Sequence, residues 1–119
     1  MRLQSITLFI AAAAAASPLW AHAHLVKSNP AMNAIAPSPR TLSLTFSERL
    51  VPAFSKLELL IPMKGHAMTV PLKTAVGADG RTLIGTPQRG LIKGAYVIRW
   101  TAASFDGHKM TGTVPFRVR

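Results

Sequence analysis

Large apolar side chains recur at every second position in three segments of the chain. In Leu42–Phe46 the apolar residues alternate with Ser and Thr. In residues 96–100, Tyr, Ile and Trp alternate with Val and Arg, and in residues 114–118, Val and Phe alternate with Pro and Arg. This period is typical of a strand with one buried face, whereas a helix needs a period near 3.6. No segment after the first twenty or so residues shows sustained helical periodicity. The chain is therefore predicted to be all-β.

Shorter segments with strand-like composition complete a set of seven predicted strands; they are residues 25–27, 56–61, 68–73 and 81–86. Turn signals such as Asn29-Pro30 and Asp106-Gly107 separate the predicted strands. Short strands with a turn every ten or so residues predict a seven-stranded antiparallel Greek-key, immunoglobulin-like β-sandwich. A small barrel is the alternative.

The first 21 residues have the pattern of a cleaved secretory signal peptide, and residues 22–119 remain as a single domain. Arg2 supplies a positive start, residues 6–16 form an apolar stretch, and small residues follow Ser17-Pro18. The apolar stretch is too short to span a bilayer. Cleavage after Ala21 or after Ala23 is compatible with the pattern, so the exported chain begins with a histidine in either case. Without cysteine the chain has no lipid attachment site and no disulfide, so we expect a protein with no stable membrane insertion after cleavage.

The chain is strongly basic, with a formal net charge of +10 that falls only by the charge of Arg2 when the leader is removed. Such a charge attracts anionic lipid or nucleic acid. The basic residues form no cluster and do not alternate with aromatic residues, and exported proteins rarely meet nucleic acid. Nucleic acid is therefore excluded as a predicted partner.

The four histidines lie in three groups, and each group contains another potential metal donor. The first two histidines lie where the chain is predicted to begin after cleavage, so that cleavage places a free α-amino group beside them. The segment PMKGHAM has methionines around its histidine, and FDGHKM has an aspartate close to its histidine. This co-location favours a metal-binding function. The residues concerned are His22 and His24; Met63, His66 and Met68; and Asp106 and His108.

The segments HAHLVKSNPA, LTFSERL, GAYVIRWTAASFDGH and GTVPFRV resemble, in this order, successive signatures of the CopC family of periplasmic copper-binding proteins. The resemblance covers essentially the whole chain after the leader. It implies cleavage after Ala21 and a Cu(II) site formed by the α-amino nitrogen and imidazole of His22, the carboxylate of Asp106 and the imidazole of His108. It also implies a periplasmic carrier or buffer of copper that is not an enzyme, with a CopD-type inner-membrane copper protein as its partner.

Two further residues are candidates at the Cu(II) site. Nitrogen and oxygen donors suit Cu(II), and Gly107 permits the tight bend that lets Asp106 and His108 converge. Glu48 ends a predicted strand, and the family resemblance implies that it is a weaker or outer partner of the metal. The alternative is that Glu48 is an exposed residue paired with Arg49. His24, third from a free amino terminus at His22, could instead chelate copper through the amine, two amides and its own imidazole. Sequence does not decide between these two chelates.

Met63, His66 and Met68 form a candidate Cu(I) site, because two thioethers and an imidazole suit the softer ion. Relatives in the family carry a longer methionine-rich loop here. The alternative is that these methionines fill gaps in a small core.

Two other functions compete with a copper carrier. An N-terminal histidine beside a second histidine is similar to the copper brace of polysaccharide monooxygenases, but Asp106 would occupy the equatorial position that oxygen needs. A metal-free immunoglobulin-like interaction domain explains the strands and leaves the placement of the histidines without a reason. The direction of copper transfer, its acceptor and the oligomeric state do not follow from the sequence.

Overall fold

The computed structural model describes residues 22–119, so the predicted signal peptide and its cleavage site after Ala21 lie outside or at the edge of the described residues. These residues form two β-sheets. The strands are β1 (Leu25–Asn29), β2 (Ile35–Ala36), β3 (Leu42–Phe46), β4 (Lys56–Met63), β5 (His66–Val70), β6 (Leu72–Val76), β7 (Thr82–Pro87), β8 (Gly94–Ala103) and β9 (Lys109–Val118).

One sheet has the strand order β1-β3-β7-β6 and the other has the order β2-β9-β8-β4-β5. All strand pairs are antiparallel except β2 and β9, which run parallel with Ile35 opposite Arg117. The all-β prediction is confirmed. The predicted number of seven strands is wrong, because the described residues contain nine, and the sheets are not wholly antiparallel. The Greek-key connectivity stays a prediction.

The two additional strands have different causes. The predicted strand at residues 68–73 is divided at Pro71, with β5 ending at Val70 and β6 beginning at Leu72 in the other sheet. Proline has no N–H to donate to a ladder, so it marks the point where the chain leaves one sheet for the other. The second addition, β2, has only two residues and is too short to show any period.

The core lies between the two sheets and follows the alternation in the sequence. In β3, Leu42, Leu44 and Phe46 are at most 1% exposed, while the residues between them are half-buried. Phe46 meets the ring of Trp100 from the opposite sheet edge-on, with ring centroids 5.0 Å apart. Residues two apart on a strand share a face, so one period of two places a whole row of side chains in the core.

The strand registers define two ends of the sandwich. Lys56 at the start of β4 lies opposite Thr101 near the end of β8, and Leu60 lies opposite Val97. Strand β4 therefore begins beside the β8–β9 connection and carries Met63 to the other end, about 23 Å away at a strand rise of about 3.3 Å per residue. We call the end that carries the β8–β9 connection, residues 104–108, the turn end. The opposite end, where Met63 and His66 join β4 to β5, is the hairpin end. No helix within residues 22–119 has the length and apolar character needed to cross a membrane.

Candidate metal site

Three side chains that could hold a metal ion converge at the turn end. One ligand atom from each of His22, Asp106 and His108 lies within 4.8 Å of the other two. The Oδ2 atom of Asp106 is 3.1 Å from Nδ1 of His108 and 3.8 Å from Nδ1 of His22. The two imidazole rings meet edge-on, with centroids 4.2 Å apart. Residues more than eighty positions apart in the chain thus form one cluster.

The connection between β8 and β9 holds Asp106 through hydrogen bonds to one of its two oxygens. The Ser104 hydroxyl and the backbone N–H of His108 both donate to Oδ1 of Asp106. The turn itself is closed by the N–H of Gly107, which donates to the Ser104 carbonyl, and Gly107 has a φ of 90° that side chains rarely adopt. Because Oδ1 is used in this way, Oδ2 is the oxygen left to face the histidines.

The same hydrogen bonds keep the Asp106 carboxyl ionised. Its pKa is lowered from 3.8 to about 2, first by the Ser104 hydroxyl and then by the backbone N–H of His108, with a further contribution from the His108 side chain. Hydrogen bonds to a carboxylate favour its charged form. At neutral pH Asp106 therefore presents a negative charge to the two histidines and needs no deprotonation to bind a cation.

Ser47, directly after β3, positions the segment that carries His22. Its hydroxyl accepts a hydrogen bond from the backbone N–H of His24 at 2.9 Å and donates to the carbonyl of His22 at 3.4 Å. The backbone N–H of Ser47 donates to the carbonyl of His24, and the intervening Ala23 is buried in the core. The segment before β1 is thus attached to the sheet on both sides of Ala23.

One ring nitrogen of His22 is in an environment that suits a metal ligand. Nδ1 is shielded from solvent and has no hydrogen-bond partner among residues 22–119. A buried polar nitrogen without a partner costs free energy unless something binds to it. A cation placed between this nitrogen, Asp106 and His108 would satisfy it, and the donor set of nitrogen and carboxylate oxygen suits a divalent transition metal.

The other two candidates for the Cu(II) site, Glu48 and His24, lie outside this three-residue cluster. Glu48 lines a cavity of about 580 Å³ that Ser104 and Asp106 also line. The antiparallel bridge between Leu50 and Ser104 brings the Glu48 segment alongside the turn. Glu48 is therefore beside the cluster, and His24 is exposed on the neighbouring side of Ala23.

Met63, His66 and Met68 lie at the hairpin end and are exposed. In the β4–β5 hairpin Met63 is opposite His66, and Met68 is opposite Ile61, two residues before Met63. Directly opposed residues and residues two apart share a face, so the three donors lie on one face of the hairpin. Ile61 on that face packs against the core, whereas Met63 and Met68 are 44% and 51% exposed. The interpretation of these methionines as core fillers is wrong.

Comparisons with known proteins identify the same family. A sequence model of the CopC domain matches residues 25–119. The chain belongs to the CopC family. A Copper resistance protein C from Xanthomonas campestris pv. juglandis is 36% identical over 121 residues, covering 98% of this chain and 95% of that protein. A Copper resistance protein C from Pseudomonas syringae pv. tomato is 35% identical over 122 residues, covering 99% and 97%.

Solved structures in the CopC family share the fold. The crystal structure of PcoC, described as a methionine-rich copper resistance protein from Escherichia coli, superimposes with a TM-score of 0.76 at 36% identity. The match covers 82% of this chain and 99% of PcoC. The names of these CopC relatives refer to copper resistance and to no catalysed reaction.

Sequence reasoning missed two residues that build the site, Ser47 and Ser104. Neither is a metal donor, so a search for donors passes over them. The spacing of Ser104 two residues before Asp106 is a usable signal for one of them, because a hydroxyl at that spacing can bond within a tight turn. Ser47 lies 23 residues from its partner His24 and has no such local signature.

Proposed function

We propose that this CopC-family protein binds Cu(II) in the periplasm and acts as a carrier or buffer in copper homeostasis, resistance or uptake. The ligands are the α-amino nitrogen and imidazole of His22, the carboxylate of Asp106 and the imidazole of His108. One observation carries the proposal: these side chains converge at the turn end, around a buried His22 nitrogen that lacks a hydrogen-bond partner. Family membership supports copper as the metal.

Cleavage after Ala21 would give His22 a free amine beside its own imidazole. Binding through the amine and Nδ1 closes a six-membered chelate ring, and Nδ1 is the nitrogen that faces Oδ2 of Asp106. Both nitrogens bind the ion only in their unprotonated form, so protons compete with Cu(II) and the affinity falls as the pH is lowered. The Asp106 carboxylate, with its pKa held near 2, adds a charge that offsets part of the charge of the ion.

The site is suited to taking up and releasing its cargo. The side chains of His22 and Asp106 are about one-third exposed, and that of His108 is 61% exposed. An acceptor protein can therefore approach the ligands from the solvent side without opening the core. This access supports a transfer role, for which a CopD-type inner-membrane copper protein is the proposed partner.

The remaining candidates have lesser roles in the proposal. Glu48 acts as an outer partner of the bound ion, since it borders the same cavity as Asp106. The amide-based chelate of His24 would compete with the proposed site, and it would require the His24 N–H that now donates to Ser47. The candidate Cu(I) site is formed by Met63, His66 and Met68, and we expect its affinity for Cu(I) to be low.

The decisive experiment compares two forms of the protein that differ by one residue at the start. One form begins at His22 and the other carries an additional glycine before it, with both termini verified by mass spectrometry. The proposal predicts that the added glycine weakens Cu(II) binding strongly, because it moves the free amine away from the His22 imidazole and removes their shared chelate ring; chelator competition measures the affinity. Equal affinities would refute the role of the His22 amine.

A second measurement separates the carrier from a copper enzyme. The Cu(II)-loaded protein is mixed with ascorbate and oxygen consumption is followed. A carrier with Asp106 in the fourth ligand position is expected to consume oxygen no faster than its copper-free form supplemented with chelated copper. Sustained turnover above that control would contradict the proposal.

A further inference from the structure

Two phenylalanine rings project into solvent at the turn end. Phe54 is 60% exposed and Phe105 is 69% exposed. They border a cavity of about 400 Å³ that Val51, Gly107 and Lys109 also line. Phe105 is the residue directly before Asp106, so the exposed rings lie beside the candidate metal site. Large apolar side chains that group in this way are a common feature of interaction sites.

Cationic side chains share the two cavities that the rings border. The Lys109 ammonium lies 5.4 Å from the centroid of the Phe54 ring. Phe105 also borders the 580 Å³ cavity, to which Arg49 and Arg81 contribute. Among residues 22–119, no carboxylate lies within 4.0 Å of either guanidinium group. The turn end thus combines an apolar cavity and a cavity with two arginines, and Phe105 lines both.

We propose that the turn end docks reversibly onto an anionic lipid surface. Phe54 and Phe105 enter the headgroup region of the bilayer, and Arg49, Arg81 and Lys109 contact the lipid phosphates. Exposed aromatic residues flanked by basic ones are the combination that binds such interfaces. Docking in this orientation turns the candidate metal site toward the membrane, where an integral membrane acceptor would be found.

Charge and size favour lipid over a protein occupant. The net charge of the chain is strongly positive, so a second copy would be repelled. A stable protein complex buries about 800 Å² on each partner around an apolar centre, and two protruding rings are a small centre of this kind. The same two rings with basic neighbours suffice for weak, reversible attachment to anionic lipid.

Two carboxylates, Glu48 and Asp106, also lie at the turn end and oppose contact with lipid phosphates. Their charges reduce the attraction without cancelling it, because three cationic side chains line the two cavities at the same end. A bound metal ion would change the charge at this end, so the test uses the metal-free protein. Its outcome then does not depend on whether the proposed copper site is correct.

The test measures partitioning of the metal-free protein onto vesicles. Vesicles of phosphatidylcholine containing about one-quarter phosphatidylglycerol are compared with pure phosphatidylcholine vesicles at physiological salt. The double variant Phe54→Ser/Phe105→Ser is expected to bind the anionic vesicles about tenfold more weakly than the parent protein. The matched control, Ile35→Ser/Ile92→Ser, removes two apolar side chains of similar exposure elsewhere and is expected to bind within about twofold of the parent.

A second pair of variants tests the charge contribution. Arg49→Gln/Lys109→Gln and Arg89→Gln/Lys73→Gln remove the same charge from the turn end and from exposed positions elsewhere. Only the double variant at the turn end, Arg49→Gln/Lys109→Gln, is expected to weaken vesicle binding by more than about threefold. All variants are checked by thermal unfolding.

Three outcomes would overturn the proposal. Equal losses from both serine variants would show that the aromatic pair has no special role. Equal losses from both glutamine variants would show a diffuse attraction by net charge. Failure of the parent protein to bind anionic vesicles would leave the exposed rings to a protein partner and exclude the lipid surface.

Discussion

The turn end and the hairpin end each bring three potential metal donors together, but only the turn end holds them in place. At the turn end, hydrogen bonds fix Asp106 through Ser104 and fix the His22 segment through Ser47. At the hairpin end, the described structure shows no side-chain hydrogen bond or ion pair at Met63, His66 or Met68, and all three are exposed. Donors held in advance lose less conformational entropy on binding.

The two ends also differ in donor chemistry. The turn end offers nitrogen and carboxylate oxygen, and the hairpin end offers thioether sulfur and one imidazole. These sets suit Cu(II) and Cu(I) respectively. From this comparison we expect donors that are only brought together by strand register to bind a metal ion more weakly than donors that second contacts also orient. The predictions below test whether this difference in support gives a difference in binding.

The largest expected effect comes from His108→Ala. If Cu(II) connects the segment before β1 to the β8–β9 turn, it stabilises the fold by about 4 kcal/mol at a thousandfold excess over the dissociation constant. Removing the imidazole should eliminate most of the copper-induced rise in melting temperature. Asp106→Asn keeps the shape and loses one charge, so its copper-induced rise should be intermediate.

The matched control for this series is His66→Ala at the hairpin end. It removes the same side chain from an exposed position and should leave the copper-induced shift unchanged. Calorimetry of the four proteins with and without Cu(II) gives the order directly. If His66→Ala removed the shift while His108→Ala kept it, the principal site would be at the hairpin end and the comparison would be reversed.

A smaller effect is expected from Ser104→Ala, which removes support without removing a ligand. The Ser104 hydroxyl is the largest cause of the lowered pKa of Asp106, so this pKa should rise from about 2 toward 3.8 in the metal-free variant. A lowered carboxyl pKa stabilises the fold above pH 3.8, and this contribution is lost as the pH falls from 3.8 to about 2. The variant should lose less of its stability across this window.

Copper binding offers a second readout for Ser104→Ala. Loss of an orienting contact to a ligand weakens metal affinity by about tenfold to a hundredfold. NMR titration of the Asp106 carboxyl and chelator competition measure the two effects. Ser38→Ala removes another hydroxyl that bonds to backbone, that of Leu91, and should change neither quantity. An unchanged Asp106 pKa in Ser104→Ala would contradict the assigned cause.

How much of this contrast the sequence predicts depends on the type of interaction. The alternation in Leu42–Phe46 predicts both the bounds and the buried face of β3, because a period of two directly reports a half-buried strand. The grouping of Asp106 with His108 follows from adjacency in the chain. Their meeting with His22 was expected only through the family resemblance, since it depends on how distant segments pack.

Other features could not be predicted because they depend on tertiary context. An isolated phenylalanine is usually a core residue, so nothing in the sequence marked Phe54 and Phe105 as exposed. Pro71 was visible in the sequence, but the apolar residues on both sides of it suggested one strand. The contact between Ser47 and His24 joins two segments far apart in the chain, and only the packed sheet brings them together.

Ser47→Ala is expected to weaken Cu(II) binding less than Ser104→Ala does. The variant loses the hydroxyl that bonds to the backbone of His22 and His24, which should lower the free energy of unfolding by about 1 kcal/mol. The His22 segment becomes less restricted, so Cu(II) affinity should fall by a few fold. Ser28→Ala, within β1, is the control. Chemical denaturation and chelator competition measure both quantities, and an unchanged affinity would show that the segment needs no support from Ser47.

The smallest effect is expected at the hairpin end, from Met63→Leu/Met68→Leu. Both side chains are roughly half exposed, so replacing them with leucine should change the free energy of unfolding by less than about 0.5 kcal/mol. Cu(II) affinity should stay the same, since neither sulfur lies at the turn end. Cu(I) binding, measured by competition with a Cu(I)-specific chelator, should be weak in the parent protein and only slightly weaker in the variant. His66→Ala in the same assay shows whether the imidazole contributes. A tight Cu(I) complex in the parent that is lost in the double variant would show that three exposed donors on one hairpin face bind copper without the supporting contacts found at the turn end.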